Sequence, residues 1–259
     1  MAAERFLCPI CEDVCFQKPK YFVKDILVSH PYVECLTCGF WYQQTLITKV
    51  YEAFHEVSGD LMSDHEKNVN YQIAERLFNA FLKEKKLSTA LDIGAKFPWL
   101  MHCLNLISKN KVQTWAIDGI PEIEYFVAKH NLHVAGRMCD FEEAKEYPWH
   151  DLKFDLITMV HIIEHFYNPI ETMRKVYDLL EDEGKLFIRC PSSDVQGIER
   201  DFTIGHYDIH PQIWNKKSLE AMAKKVGFDI LLNMEVIPGQ RDLILARTRI
   251  RGNHDLHLA

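Results

Sequence analysis

"TALDIGAKFPWLMHCL", residues 89–104, opens as an apolar run that closes on Asp92 and Gly94, then takes on helical spacing from about Pro98. Strand, tight turn and helix in that order predict the ligand-facing corner of an open parallel sheet, because such sheets bind ligands beyond the carboxyl ends of their strands. Asp92 and Gly94 suit that corner, whereas Lys96 and Pro98 stand where further glycines are expected. The fold and the working state of the loop both turn on this stretch.

Working outward, short apolar runs alternate with amphipathic patterns. "VQTWAID", "VAGRMCD", "FDLITMV" and "KLFIRCP" read as strands, and "EIEYFVAKH" and "PIETMRKVYDLLEDEG" as the helices between them. That alternation predicts an α/β, Rossmann-like, mostly parallel sheet, which we expect to have seven strands. After the helical "KKSLEAMAKKVGF", the runs "DILLNMEVI" and "DLILARTRI" flank "PGQR" and predict a C-terminal antiparallel hairpin. Upstream, "TKVYEAFHEV" and "NYQIAERLFNAFLKEKK" carry helical spacing. The expected organisation is a small zinc ribbon over 1–42, a helical lead-in over 43–86 and the main domain over 87–259.

With 259 residues, 47% hydrophobic, 26% charged and a net charge of -7, the chain has the composition of a globular protein with one substantial core. The negative balance gives no general attraction to nucleic acid or anionic membrane. No window reaches 18 consecutive apolar residues, and "MAAERFLCPICEDV" lacks a signal-peptide core. We expect a cytoplasmic protein acting on a small-molecule acceptor, with nucleic acid a less favoured partner and no membrane association. The oligomeric state is left open.

Four of the eight cysteines form two CxxC pairs, Cys8/Cys11 and Cys35/Cys38, with 23 residues between Cys11 and Cys35. Two such knuckles can close a tetrahedral thiolate shell around one zinc ion. The expectation is a structural Zn2+ site with Cys15 as a spare thiol. A closed four-cysteine shell leaves no open position for catalysis.

Asp118 ends the strand "TWAID", 24 residues after Gly94, where a carboxylate can accept both hydroxyls of a ribose. Asp140-Phe141 ends the next strand, offering a carboxylate and an aromatic face to a base. Together with the block "FDLITMVHIIEHFYNPIETMRKVYDLLEDEGKLFIRCPS", these residues resemble the class I S-adenosylmethionine-dependent methyltransferases over roughly residues 87–245. The subgroup with an EH motif after the fourth strand, similar to ubiquinone-pathway O-methyltransferases, is the nearest likeness. The cysteine ribbon in front is similar to that of some sugar methyltransferases; we expect no counterpart of their extra C-terminal domain within residues 1–259, so their substrate class is not carried over. The resemblance implies that Asp92, Gly94, Ala95 and Lys96 hold the methionine part of S-adenosyl-L-methionine, Asp118 its ribose, and Asp140 with Phe141 its adenine. His161, at the end of the fourth strand, joins the cofactor-facing set.

The family reads D-x-G-x-G-x-G at the loop, and this chain keeps only Gly94. S-adenosylmethionine carries no pyrophosphate, so close backbone approach matters less; Pro98 suits a helix's first position, and Lys96 could meet the cofactor's carboxylate as a point charge. The competing expectation is a non-catalytic scaffold whose pocket Lys96 and Phe97 fill.

His161-Ile162-Ile163-Glu164-His165 also matches the HxxEH metalloprotease pattern, but it follows a buried strand and meets Pro169 too soon for the helix that motif needs. Metal-assisted O-methyltransferases, including RNA 3′-end 2′-O-methyltransferases, instead use ExxEH plus a distant histidine. Here Glu164, His165 and His206, with His210 as the competing histidine, could hold a second divalent metal that acidifies a substrate hydroxyl. Without metal, His165, His206 or His210 could act as general base, with Glu164 beside them. The simplest expectation is that Glu164 and His165 cap the following helix and hydrogen-bond to the loop after the fifth strand. "DFTIGHYDIHPQIWNKK" is expected over the site's mouth, with Tyr207 and Trp214 as stacking groups or, for Trp214, as core.

The function expected is O-methylation of a sugar, nucleotide or other small metabolite.

Overall fold

The first four cysteines organise the beginning of the chain. In the computed structural model, which describes residues 6–15, 20–23, 26–43, 62–84, 87–118, 123–130, 132–137, 151–194 and 210–247, β1 (Phe6–Leu7) and β2 (Val14–Cys15) pair around the first CxxC. β3 (Lys20–Val23), β4 (Ile26–Glu34) and β5 (Trp41–Gln43) form an antiparallel sheet whose β4–β5 turn holds the second CxxC.

After the described part of the lead-in, α1 (Asp64–Glu84) begins with a reciprocal cap: Glu66 Oε2 accepts from the Ser63 N–H at 2.7 Å, and Ser63 Oγ accepts from the Glu66 N–H at 3.2 Å. The helix expected at "TKVYEAFHEV" lies outside the described residues. Then strands and helices alternate: β6 (Thr89–Ile93), α2 (Trp99–Ser108), β7 (Gln113–Asp118), α3 (Ile123–Lys129), β8 (His133–Arg137), β9 (Phe154–Val160), α4 (Pro169–Leu179) and β10 (Leu180–Pro191). The short β11 (Gln212–Ile213), α5 (Lys216–Val226), β12 (Phe228–Ile237) and β13 (Gln240–Arg247) complete the described chain.

The main sheet is mixed and has the order β12-β13-β10-β9-β6-β7-β8. β10, β9, β6, β7 and β8 are parallel neighbours, while β13 runs antiparallel to both β10 and β12. β9 is buried along all but its last residue, as a strand covered on both faces must be. One core packs α1, α2 and α3 on one face through residues such as Ile73, Leu100, Leu104 and Val127. The other packs α4 and α5 through Met173, Val176, Leu219 and Met222, and it continues without a break into Ile10, Phe40 and the four cysteines. β6 alternates between the two: Ala90 faces the first core, Leu91 and Ile93 the second.

α5 is specified locally at both ends. Asn215 and Ser218 form a reciprocal cap at its start, and Gly227, at φ 104°, supplies the left-handed residue that ends it. α4 is shorter than its sequence suggests. "LEDEG" carries helical propensity, yet Leu180 turns extended to pair with Phe154, and the register then slips before Lys185. Gly184 permits that detour, since a Cβ there would sit 2.7 Å from the Phe154 carbonyl oxygen.

β11 joins the ribbon sheet as its fourth strand, with Gln212 opposite Tyr42 and Ile213 opposite Trp41. Among the described residues no helix is long and apolar enough to cross a membrane.

Candidate active site

The order of the main sheet reverses between β6 and β9, and the carboxyl ends of β6, β7, β9 and β10 meet at that point. Gly94 makes the turn after β6 at φ 74°, and both its N–H and that of Ala95 donate to the Ile117 carbonyl, at 2.8 and 3.0 Å. No other residue fits: a Cβ would lie 2.5 Å from Ile162 Cγ1. Lys96 adopts φ 46°, the left-handed conformation that a glycine supplies without strain. The loop's backbone path is therefore kept where the glycine is not. The Lys96 side chain is exposed, its ammonium 5.7 Å from the Phe97 ring centroid; the Ser63 hydrogen bonds hold the Glu66 carboxyl below its ordinary range, and Lys96 adds a smaller charge effect. Pro98 occupies the cap position, one residue before the helix rather than its first position.

Asp118 ends β7, half-buried, and its Oδ2 accepts the Lys96 N–H at 2.6 Å. The loop and the proposed ribose carboxylate are thus one hydrogen-bonded unit. Asp92 lies beneath, wholly buried, accepting the Thr158 hydroxyl at 2.6 Å. Burial pushes its carboxyl up to about 7; the Thr158 bond opposes this, and the nearby Asp118 charge adds to it. Sequence inspection gave Thr158 no role, since one threonine in an apolar run carries no signal beyond strand propensity.

Because the folded-state value lies above the ordinary 3.8, Asp92 keeps its proton in the native state over a window where the unfolded chain has lost it. Stability through this group falls as pH rises from about 4 to 7 and then stays lowered. Asp92→Asn, which can still accept from Thr158, is expected to raise stability at pH 8 by about 1–3 kcal/mol, with the gain fading by pH 4. Thermal melting at the two pH values checks this; equal melting points of variant and wild type at pH 8 would contradict it.

At the end of β9, His161 takes φ 54°, with its N–H donating to the Arg189 carbonyl at 2.8 Å. A non-glycine residue held there stores strain of the order of 1 kcal/mol. The turn carries Ile163–His165 into a short 3-10 turn that buries Glu164 to 1% exposure. Neither carboxylate oxygen has a hydrogen-bond partner; His161 Nδ1 lies 3.5 Å from Oε1, an ion-pair distance when that imidazole is protonated. Burial opposes ionisation of Glu164, but His161 and the charges of His165 and His210 outweigh it and draw the carboxyl down to about 2. The helix-capping expectation does not hold: Asn168, not Glu164, precedes α4, and no side chain caps it.

His210 arrives from beyond β10, buried to 5% exposure, with its ring edge-on to His165 at 4.7 Å between centroids. One ligand atom each from Glu164, His165 and His210 lies within 4.8 Å of the others. The structure thus groups His210 with Glu164 and His165; His206, like Asp140, Phe141 and Tyr207, lies outside the described residues. Trp214, weighed as a stacking group for substrate, is fully buried core, tilted against Phe40 at 4.6 Å.

The four cysteines Cys8, Cys11, Cys35 and Cys38 form the other such cluster among the described residues, also within 4.8 Å of one another. Cys8 and Cys38 sulfurs are 3.7 Å apart, Cys11 and Cys35 sulfurs 3.5 Å, and all four thiols are free. A tetrahedron of sulfurs at zinc–thiolate distance has edges of about 3.8 Å. Backbone N–H groups of Ile10 and Cys38 point at Cys8 and Cys35 sulfurs, at 3.4 and 3.5 Å, as a charged thiolate shell requires.

Strand order, glycine turn and terminal Asp118 are those of a class I S-adenosylmethionine-dependent methyltransferase domain. The model of the family described as "Methyltransferase domain" matches residues 65–233, and the chain belongs to that family. No curated protein matches the chain. Its fold is similar to an O-methyltransferase family protein from Burkholderia thailandensis (13% identity, 71% of this chain, 60% of that one, TM-score 0.52). It is also similar to the CurJ carbon methyltransferase (14% identity, 78% and 58%, TM-score 0.56). A third is the N-methyltransferase NodS from Bradyrhizobium japonicum WM9, solved with S-adenosyl-L-homocysteine (13% identity, 77% and 98%, TM-score 0.55). The chain thus spans less than two thirds of the first two and nearly all of NodS. Oxygen, carbon and nitrogen acceptors all occur on this fold.

Proposed function

We propose that the enzyme methylates a hydroxyl oxygen of a small acceptor, a sugar, nucleotide or similar metabolite of the cytoplasm. The observation that carries this reading is Glu164, a fully buried carboxylate set among the imidazoles of His161, His165 and His210, with no hydrogen-bond partner for either of its oxygens. Such a group is costly to bury unless something charged or acidic meets it there.

S-adenosylmethionine supplies an electrophilic methyl on its sulfonium. Asp118 accepts the ribose hydroxyls, the turn at Gly94, Ala95 and Lys96 frames the methionine part above Asp92, and Asp140 with Phe141 receives the adenine. His161 closes the cofactor's side of the β9 turn. The acceptor hydroxyl lies by His165, which takes its proton as the oxygen attacks in line; Glu164 holds the imidazolium that results. His210, with His206 as the alternative, orients the acceptor. The same Glu164, His165 and His210 could hold a divalent ion, which would lower the pKa of a hydroxyl. Cys8, Cys11, Cys35 and Cys38 hold a structural zinc. Most of the acceleration comes from fixing nucleophile, methyl and sulfur on one line.

Calorimetric titration with S-adenosylhomocysteine is expected to show one site, with Asp118→Ala weakening it about tenfold or more, as loss of a charge-assisted pair of hydrogen bonds implies. Equal affinity in the variant would remove Asp118 from the site.

A further inference from the structure

We propose that Tyr32 is a positioning residue through which the four-cysteine unit holds His210 against Glu164 and His165; the proposal rests on reading those three as the acceptor site. Tyr32 lies in β4, three residues before Cys35, and is completely buried. Its hydroxyl donates to the His210 carbonyl oxygen at 2.5 Å, across 178 residues of sequence. A strand residue placed there only for packing would need no hydroxyl.

The bond is the first of several that clasp residues 210–215. On the ribbon side, the Gln43 N–H donates to the Pro211 carbonyl at 2.9 Å, β11 pairs with β5, and Asn215 Nδ2 donates to the Gly39 carbonyl at 2.7 Å. Gly39 directly follows Cys38, its N–H donates to the Cys35 carbonyl at 2.7 Å, and a Cβ on it would lie 2.3 Å from Asn215 Nδ2. The second CxxC knuckle is therefore the surface that receives the segment. On the site side, Gln212 Nε2 donates to the carbonyl of Phe166, the residue after His165, and the His210 ring meets the His165 ring. The segment is a strap, fastened to the cysteine unit along one edge and to the 3-10 turn along the other. Placement of an imidazole to within a fraction of an ångström governs both proton transfer and ion binding, so the fastening sets the site's competence.

The cofactor end, built from β6 and β7, shares none of these bonds, and that separation makes the test. Full-length, zinc-loaded Tyr32→Phe is expected to keep one zinc and to bind S-adenosylhomocysteine within about twofold of wild type. Its His210 and His165 imidazole signals in long-range 1H–15N spectra are expected to shift. Its affinity for added Co2+, read from the weak band of nitrogen- and oxygen-ligated ion, is expected to fall about tenfold, the effect of one buried hydrogen bond. Unchanged imidazole signals in Tyr32→Phe would overturn the proposal. Should that variant lose zinc, Gln212→Met breaks the opposite fastening and is expected to move the same signals; signals unmoved there overturn it too. Wild-type protein that binds no Co2+ beyond the zinc site, with Glu164→Gln as active as wild type, would refute the acceptor-site reading instead, leaving the imidazole spectra to decide the strap.

Discussion

Glu164→Gln is expected to lower methyl transfer at least about 100-fold while S-adenosylhomocysteine binding stays within about twofold. The substitution keeps shape and removes charge. In the native protein the charge faces His161 at 3.5 Å and feels His165 and His210. If His165 takes the proton of the acceptor hydroxyl, a positive imidazolium forms beside Glu164 in a water-poor site, where a preset negative charge is worth several kcal/mol. A general-base contribution of 10²–10⁴-fold is the ordinary range for such an arrangement. Stability near neutral pH should fall as well. A buried carboxyl that its imidazole neighbours hold well below its ordinary range stabilises the fold when ionised, so the glutamine variant should melt lower at pH 7, the difference fading as pH falls from about 4 to 2. Release of S-adenosylhomocysteine in the presence of sugar and nucleotide acceptors measures the first effect, and calorimetry the second. A variant with wild-type turnover would place the chemistry elsewhere.

The largest loss of stability is expected from the cysteine cluster. Cys35→Ser should abolish binding of one zinc and lower the melting temperature by about 10 °C or more, because the binding free energy of a structural zinc is also folding free energy. The effect should exceed that of an ordinary core cysteine because Cys8, Cys35, Cys38, Ile10 and Phe40 belong to the same hydrophobic cluster as Met173, Leu219 and Trp214. Serine leaves an incomplete shell and a buried hydroxyl within that cluster. A zinc-free variant with an unchanged melting temperature would show that packing alone holds the ribbon.

Much of this arrangement was legible because its signals are local and periodic. Parallel strands covered on both faces read as apolar runs, so β6, β7 and β9 stood out, while the antiparallel hairpin of β12 and β13 stood out by the turn residues between its two runs. The two CxxC pairs announce themselves by spacing, and Glu164-His165 by its place after β9. Lys96 was ambiguous because residue type does not reveal φ; a lysine in the left-handed region is uncommon, and only coordinates show that the loop's path survives the substitution. β11 left no trace, since two residues have no period and its partner strand lies near the other end of the chain. The early end of α4 was hidden for a similar reason, tertiary pairing of Leu180 with Phe154 overriding the helical propensity of "LEDEG". Trp214 could be read as core or as ligand platform until Phe40 was seen beside it.

The fourth strand of the ribbon sheet also fixes an order of events during synthesis. Residues 26–43 leave the ribosome well before Gln212 and Ile213, and until those emerge β5 has β4 on one side and no strand on the other. Contacts this distant in sequence form late, since a long loop must close before they contribute. The finished edge of that sheet waits for residues 212–213. A nascent chain stalled before residue 210 would therefore expose one side of β5, an open strand edge for as long as translation is held there.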